Sequence, residues 1–422
     1  MIVCILGRQP HIGVAELESL YGAARVRLLP GDKIALVDVP HISYELGGSI
    51  KIARQIDTIS TTKFEAISTQ LTRRLSRYLV GIPAEGKVKF GISVYGIQTN
   101  VPQLTRTTLY LKKTIKKTGH SARVVPNNDL TLSSAQVIHN QLTSPLGLEL
   151  LLIRDGDQTI VAQTFHEQDI EAYTLRDRGR PKRDAFVGML PPKLAQIMVH
   201  LGTQQASRLI TAGDDTLQPT SDQTPELLSD MARSSVDNGN NQKGTILDPF
   251  CGTGVVLQEA ALEGYAVYGT DISEKMVNYT KDNLKWLSTT HKIALEAAVE
   301  RGDATSYTWK QPIDAVVGEG YLGQPMSFEP TREKLAEIMH ECNGIFRDFL
   351  KNIHPQLQPG TPLCIAAPAW FVLGETQHLS ALDDLENLGY NRIDFEHANR
   401  TELIYHREDQ IVGRELLVLI RR

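Results

Sequence analysis

The residues with the clearest chemical potential lie in a glycine turn between an apolar run and a helix-like stretch. Residues 248–254 read Asp-Pro-Phe-Cys-Gly-Thr-Gly, after the apolar run 245–247 and before residues 255–263. The two glycines let the backbone turn sharply, and the helix that follows points free N–H groups at a ligand. Asp248 at the strand end would repel a pyrophosphate, so a cationic ligand fits better. The pattern predicts a strand, a turn and a helix that hold a nucleoside cofactor.

Two more acids follow at the ends of later strand-like runs. Asp271 ends residues 265–271, where an open α/β sheet offers a carboxylate to ribose hydroxyls, and Asp303 is well placed for an adenine amino group. A pair of turn glycines in an ordinary doubly wound domain is the alternative. Three acids in this order resemble the S-adenosylmethionine site of class I methyltransferases, whose ligand carries an ammonium and a sulfonium. The resemblance implies S-adenosyl-L-methionine as the cofactor, bound by Asp248, Pro249, Phe250, Gly252, Gly254, Asp271, Ile272, Asp303 and Ala304.

Bulk composition excludes several other classes of protein. The 422 residues, 41% hydrophobic and 22% charged, predict two or three globular domains. We expect no membrane contact and a cytoplasmic location, because the chain has neither a long apolar run nor a basic leader. The four cysteines are scattered without paired or histidine-partnered spacing, so we predict no metal site.

Charge is distributed unevenly along the chain. The net charge of the whole chain is −5. Residues 51–150 carry 14 Lys or Arg against 5 Asp or Glu, whereas the chain from residue 201 onward carries a net charge of −13. A basic module joined to an acidic one suggests a polyanionic substrate held mainly by the N-terminal half. Lysines that merely solvate helices are the alternative interpretation.

The N-terminal half alternates strand-like and helix-like segments. Strands are predicted at 87–94 and 122–125 and a hairpin over 148–163; amphipathic helices are predicted at 63–80 and 104–117. With its basic charge, this module resembles a THUMP domain, the RNA-binding module of several tRNA-modifying enzymes. The junction, with Arg-Asp-Arg-Gly-Arg-Pro-Lys-Arg-Asp at 176–184 and Gly-Met-Leu-Pro-Pro-Lys-Leu-Ala at 188–195, resembles that of THUMP-containing tRNA guanine-N2 methyltransferases. Arg180 in this junction is a candidate for substrate binding, with local ion pairing as the alternative.

The fold class and domain boundaries follow from these segments and the resemblance. We predict an α/β protein: a C-terminal Rossmann-like class I methyltransferase domain and an N-terminal α+β THUMP-type region. The expected parts are a small α/β region at 1–50, a THUMP-like domain at 51–165, a junction at 166–205 and the methyltransferase domain at 206–422. Residues 212–243 are polar and lack apolar periodicity, which predicts a flexible insertion.

The strand end that would face the substrate departs from the family pattern. Amino methyltransferases place a motif such as Asp-Pro-Pro-Tyr there, to hold the target amine and stack on the flipped base. Here residues 318–321 read Gly-Glu-Gly-Tyr, so Gly318 stands where the acid is expected. We predict that Glu319 accepts a hydrogen bond from the amine and that Tyr321 stacks on the base. Gly318, Gly320 and Leu322 are expected to line the substrate site.

The resemblance therefore implies an S-adenosylmethionine-dependent RNA methyltransferase that forms N2-methylguanosine in tRNA, with tRNA as the partner. An accessory protein subunit stays open as a second partner. Two alternatives also remain: an amino methyltransferase acting on DNA, and an RNA-binding protein that keeps the cofactor site but has weakened catalysis. The changed motif at Gly318 to Gly320 is the only sequence support for the last.

Overall fold

The computed structural model describes residues 1–83, 85–184, 190–203, 243–324, 326, 328–372, 374–407 and 410–422. The chain forms two compact units. The first comprises Met1–Tyr173 with Phe395–Asn399, and the second comprises Thr174–Asp394 with Arg400–Arg422. No helix within the described ranges is long and apolar enough to cross a membrane.

The first unit is built on one eight-stranded sheet. Its strands are β1 (Ile2–Leu6), β2 (Val26–Leu28), β3 (Ile34–Val37), β4 (Ser49–Ile59), β5 (Lys87–Tyr95), β6 (Ser121–Val124), β7 (Gly147–Asp155) and β8 (Gln158–Glu167). They lie in the order β2-β3-β1-β4-β8-β7-β5-β6. The predicted boundary at residue 50 falls within β4, which pairs with β1 through Ile2 and Arg54. All five residues of β1 are apolar and buried.

Among the described residues of this unit, the α-helices are α1 (Pro10–Tyr21), α2 (Phe64–Tyr78), α3 (Val101–Lys117), α4 (Ser134–His139) and α5 (Ile170–Thr174), the last ending in the second unit. The helical spacing of Phe64, Ile67 and Leu71 buries one face of α2 in a core shared with α3. Asn100 caps α3 by accepting a hydrogen bond from the Gln103 N–H at 2.9 Å. The two predicted helices and the 148–163 hairpin are confirmed.

The second unit is built on a mostly parallel sheet. Its strands are β9 (Lys243–Asp248), β10 (Tyr265–Asp271), β11 (Ala297–Arg301), β12 (Ala315–Glu319), β13 (Pro362–Val372), β14 (Glu375–Gln377), β15 (Tyr390–Arg392), β16 (Ile404–Tyr405) and β17 (Val412–Arg421). The main order is β11-β10-β9-β12-β13-β17-β15, in which β17 runs antiparallel to its neighbours. The order reverses between β9 and β12, the place where open α/β sheets bind ligands beyond the carboxyl ends of their strands.

Helices cover both faces of this sheet. They are α6 (Pro192–Thr203), α7 (Val255–Leu262), α8 (Glu274–His291) and α9 (Arg332–Ile353). Alternate residues of one strand point to opposite faces: Val316 packs into the core under α9, whereas Val317 lies against Gly202 of α6. The predicted Rossmann-like architecture is confirmed. The expected flexible insertion at 212–243 lies outside the described residues except for Lys243, which begins β9.

Candidate active site

Three carboxylates end three adjacent strands of the second unit. Asp248 is the last residue of β9, Asp271 of β10 and Glu319 of β12. Parallel strands bring their carboxyl ends to one edge of the sheet, and the reversal of strand order opens a crevice there. The structure therefore brings together three of the acids selected from the sequence.

The glycine turn after β9 depends on left-handed backbone. Gly252 has φ 50° and Gly254 has φ 81°, a region that side chains disfavour. A Cβ on Gly254 would also lie 2.8 Å from Cγ2 of Thr280. Thr280 in turn donates its hydroxyl to the Gly252 carbonyl at 2.8 Å. The turn is therefore fixed by α8 as well as by its own glycines.

Asp271 links this turn to the start of α8. Its Oδ2 accepts the Gly252 N–H at 2.9 Å, and its Oδ1 accepts the Ser273 N–H at 2.8 Å. Burial raises the pKa of Asp271, and these two backbone hydrogen bonds oppose that rise. Because each carboxylate oxygen has a second lone pair, Asp271 can hold the turn and still accept hydrogen bonds from a ligand.

Asp248 is a buried acid among other acids. Its residue is 2% exposed, and its Oδ1 accepts the Phe250 N–H at 3.1 Å. Burial raises the pKa of Asp248 well above its ordinary value, and the negative charges of Asp271 and Glu319 raise it further. A cationic ligand would offset both effects, because an opposite charge favours the ionised carboxylate.

The departure at Gly318 has a physical reason. A Cβ at this position would lie 2.6 Å from Oδ1 of Asp248 and 3.3 Å from Cδ of Pro249. An acidic side chain there would clash with Asp248 and add another negative charge. Asp248 in its present position therefore requires glycine at 318.

Two cavities meet at Glu319. The larger, of about 530 Å³, lies beyond the ends of β10 and β12; the smaller lies over the glycine turn. Phe250 and Glu319 line both of them. The larger is lined by Asp184, Phe250, Asp271, Ile272, Ser273, Lys275, Met276, Glu319, Gly320, Tyr321, Leu322, Gly323 and Gln324. The smaller is lined by Leu190, Asp248, Phe250, Cys251, Gly252, Thr253, Val255, Val256 and Glu319.

Glu319 is bound by a cation that sequence reasoning did not select. Nε of Arg414, on β17, donates a hydrogen bond to Glu319 Oε1. The side chains are 8% and 15% exposed, respectively. Burial raises the pKa of Glu319, and the charge and hydrogen bond of Arg414 oppose that rise. The predicted acceptor is therefore half of an ion pair.

Tyr321 and Leu322 line the larger cavity, and their contacts with a substrate stay predictions. Tyr321 is partly buried and packs against the core under α9. Burial raises the pKa of its hydroxyl, with a smaller contribution from Glu341. The Gly320 N–H is engaged by the Ala366 carbonyl at 2.9 Å, which ties the loop to β13.

Some residues that the sequence predicted for the site do not line either cavity in the described part of the chain. Asp303 is exposed and accepts from the N–H and hydroxyl of Thr305 at 2.9 and 2.7 Å. Ala304 is buried, and its carbonyl accepts a hydrogen bond from Asn352. Arg180 is 3% exposed, so its guanidinium does not face solvent. These three, with Pro249, Gly254 and Gly318, are outside the described lining of both cavities, and their assigned contacts stay predictions.

Sequence reasoning also missed polar residues that shape the larger cavity. Lys275 donates to Asp184 at 2.6 Å, and both line the cavity. Asn283 donates to the carbonyls of Thr253 and Lys182, joining the junction segment to the glycine turn. Asp184, the acidic residue at the end of the junction motif, was the sequence signal that could have indicated these contacts. Over the described ranges, no group of three His, Cys, Asp or Glu residues could hold a metal ion.

Comparisons with known proteins agree with this geometry. Residues 240–407 match the family model described as a methyltransferase domain. A tRNA (guanine(10)-N2)-dimethyltransferase of Methanothermobacter thermautotrophicus is 35% identical over 144 residues, 34% of this chain and 39% of the relative. Its Pyrococcus abyssi counterpart is 30% identical over 148 residues, 35% of this chain and 38% of the relative.

The matched stretch thus spans about two fifths of each of these relatives. Over the whole fold, the crystal structure of TrmN from Thermus thermophilus superposes with a TM-score of 0.52 at 14% identity, covering 100% of this chain and 99% of that one. This likeness concerns the fold alone. Over about a third of its length, the chain is thus similar to tRNA (guanine(10)-N2)-dimethyltransferases, and its residues 240–407 match a methyltransferase domain.

Proposed function

We propose that this protein is an S-adenosylmethionine-dependent methyltransferase acting on the exocyclic amine of guanine in tRNA. The observation that carries the proposal is the set of three carboxylates at adjacent strand ends, beside a cavity that continues to Tyr321. A cationic nucleoside on one side and a base on the other fit this arrangement. The named activity of the relatives supports the choice of substrate.

The residues present fit the cofactor. Asp248 is buried, and burial and the neighbouring acids raise its pKa; the ammonium of the methionine portion would offset that rise. Asp271 has lone pairs left for the ribose hydroxyls. Phe250 and Ile272 supply apolar lining. When bound, S-adenosylmethionine supplies an electrophilic methyl group on its sulfonium sulfur.

Glu319 and Tyr321 would hold the target base. The guanine amine is a weak nucleophile because its lone pair is delocalised into the ring, so orientation and acceptance of developing charge are the available help. Glu319 lines both cavities and can accept a hydrogen bond from the amine. Tyr321 at the wall of the larger cavity would stack on the base.

The N-terminal unit would bind the RNA backbone as a THUMP-type module. Arg106, Tyr110, Lys113 and Lys117 are exposed on α3 at spacings that place them on one face. Tyr110 is 57% exposed, so its ring is accessible to a base. Cations beside an exposed ring suit a nucleic acid, through its phosphates and its bases. A tRNA substrate supports the proposed cytoplasmic location.

A cofactor-binding protein with weakened catalysis is the second candidate. Its support is the ion pair of Glu319 with Arg414, which reduces the basicity of the acceptor. Because amine methylation needs an oriented acceptor more than a strong base, we favour activity.

The test is transfer of labelled methyl groups from S-adenosylmethionine to unmodified tRNA, to single-stranded DNA and to duplex DNA. We expect label in tRNA alone. Label in DNA would replace the proposed substrate class. Cofactor and tRNA binding without transfer would favour the catalytically weakened alternative.

A further inference from the structure

The register of the sheet places Glu319 and Arg414 close enough to form an ion pair. Glu319 lies opposite Ala366 of β13, and Arg414 lies opposite Pro368 of the same strand. Because Ala366 and Pro368 are two residues apart, they point to the same face, and so do Glu319 and Arg414. The two side chains meet across β13 at the carboxyl edge of the sheet.

The neighbouring residue on β17 makes a separate ion cluster. Glu415 is 4% exposed and accepts from Arg392 at 2.8 Å and from His378 at 2.5 Å. Residues 414 and 415 point to opposite faces of the strand. Arg414 is therefore directed to Glu319, whereas Arg392 pairs with Glu415.

The hydrogen bonding of Glu319 is one-sided. Its Oε1 accepts from Nε of Arg414, and its Oε2 accepts no hydrogen bond from any residue in the described part of the chain. Glu319 also lies where the two cavities meet. One oxygen is held by protein, and the other is available to a ligand.

The other charges that face Glu319 are mainly negative. Asp248, at the end of β9, borders the smaller cavity. Asp271, at the end of β10, borders the larger one, as do Asp184 and Lys275. Lys275 is already paired with Asp184 at 2.6 Å. Without Arg414, a buried carboxylate beside two other acids would favour its protonated form.

We propose that Arg414 is a positioning residue for the substrate amine: it fixes Glu319 through Oε1 and keeps it ionised, leaving Oε2 to accept from the amine. The inference rests on the proposed function for its catalytic meaning. A protonated Glu319 has lost much of its acceptor capacity, so loss of Arg414 is expected to impair transfer at neutral pH and spare it at higher pH.

The sign of the effect follows from the charges. A cation within about 4–6 Å lowers the pKa of a carboxyl by about 1–3 pH units, so removing Arg414 raises the pKa of Glu319 by a similar amount. The acidic limb of the pH–rate profile then moves upward by the same amount. An arginine that only stabilised the fold would leave the position of this limb unchanged.

The test uses the full chain and two readouts. Glutamate labelled with ¹³C at Cδ reports the ionisation of Glu319, whose resonance is identified by its loss in Glu319→Gln. Single-turnover methyl transfer to tRNA is measured over the same pH range. The variants are Arg414→Gln, Arg414→Met as a second neutral side chain, and Arg414→Lys, which keeps the charge. Arg392→Gln is the matched control, because it removes another buried arginine that pairs with an acid of β17.

For both neutral variants, we expect the midpoint of the Glu319 titration and the acidic limb of transfer to rise together by about 1–3 pH units. Arg414→Lys should restore most of the wild-type profile, and Arg392→Gln should leave both midpoints unchanged. An unchanged Glu319 midpoint in the neutral variants, or an equal loss of transfer at every pH, would overturn the inference. The titration is read without ligand, so absence of transfer by the wild-type chain would reject the proposed function separately.

Discussion

Asp271 offers the sharpest test of cofactor recognition, because its carboxylate has two tasks. It accepts the Gly252 and Ser273 N–H groups at 2.9 and 2.8 Å, and it borders the larger cavity. In Asp271→Ala, the glycine turn loses the hydrogen bond from the Gly252 N–H, and a ribose hydroxyl loses its charged acceptor. We expect weaker cofactor binding and unchanged tRNA binding.

The magnitude follows from the lost contacts. A hydrogen bond to a charged group contributes about 1.5–3 kcal/mol, which corresponds to about a 10- to 150-fold rise in Kd for one ribose contact. The loosened turn would add to this loss. Asp282→Ala is the control: this acid is 54% exposed on α8 and lies outside the described cavity linings, so its Kd should stay within about twofold.

The assay is calorimetric titration with S-adenosylhomocysteine and with an analogue that lacks the ribose hydroxyls. In the wild-type protein, loss of the hydroxyls should weaken binding; in Asp271→Ala, the same loss should cost little, because the partner is already gone. Thermal melting checks that the variant is folded. An equal penalty for the missing hydroxyls in both proteins would refute the assignment of Asp271 to the ribose.

Three further perturbations test the substrate side. Glu319→Gln should keep cofactor and tRNA binding while reducing single-turnover methyl transfer by at least tenfold, and full activity would remove Glu319 from the site. Gly318→Asp restores the acid of the family motif, yet it should weaken cofactor binding through its clash with Asp248; calorimetry showing tighter binding would contradict the packing argument. The double charge reversal Lys113→Glu and Lys117→Glu should weaken tRNA binding and reduce its salt dependence by about 0.7–0.9 in slope per lost phosphate contact, and an unchanged slope would place the RNA elsewhere.

The sequence predicted helices and strands correctly where apolar residues recur at the same spacing as the buried positions. The 3.6-residue spacing from Phe64 to Leu71 gave α2, and the acids at 248 and 271 fell at the ends of neighbouring strands. The pairing of β1 with β4 joins segments about fifty residues apart. No local pattern predicts that pairing.

The site was predictable only in part for the same reason. The glycine turn and its acids are a short-range motif, whereas Arg414 lies 95 residues from Glu319 in sequence and meets it only through the register of β13. Gly318 looked like a lost acid, and only the position of Asp248 explains it as a required small residue. The contacts that sequence alone did not predict therefore depend on the pairing of strands that are distant in the chain.

Nucleoside analysis of methylated tRNA would identify the product of the proposed reaction. Unmodified tRNA is incubated with the full chain and labelled S-adenosylmethionine, then digested to nucleosides and separated. We predict label in N2-methylguanosine or its dimethylated form, absent with Glu319→Gln. Label confined to any other nucleoside, or no label although cofactor and tRNA both bind, would contradict the proposed methylation of the guanine amine.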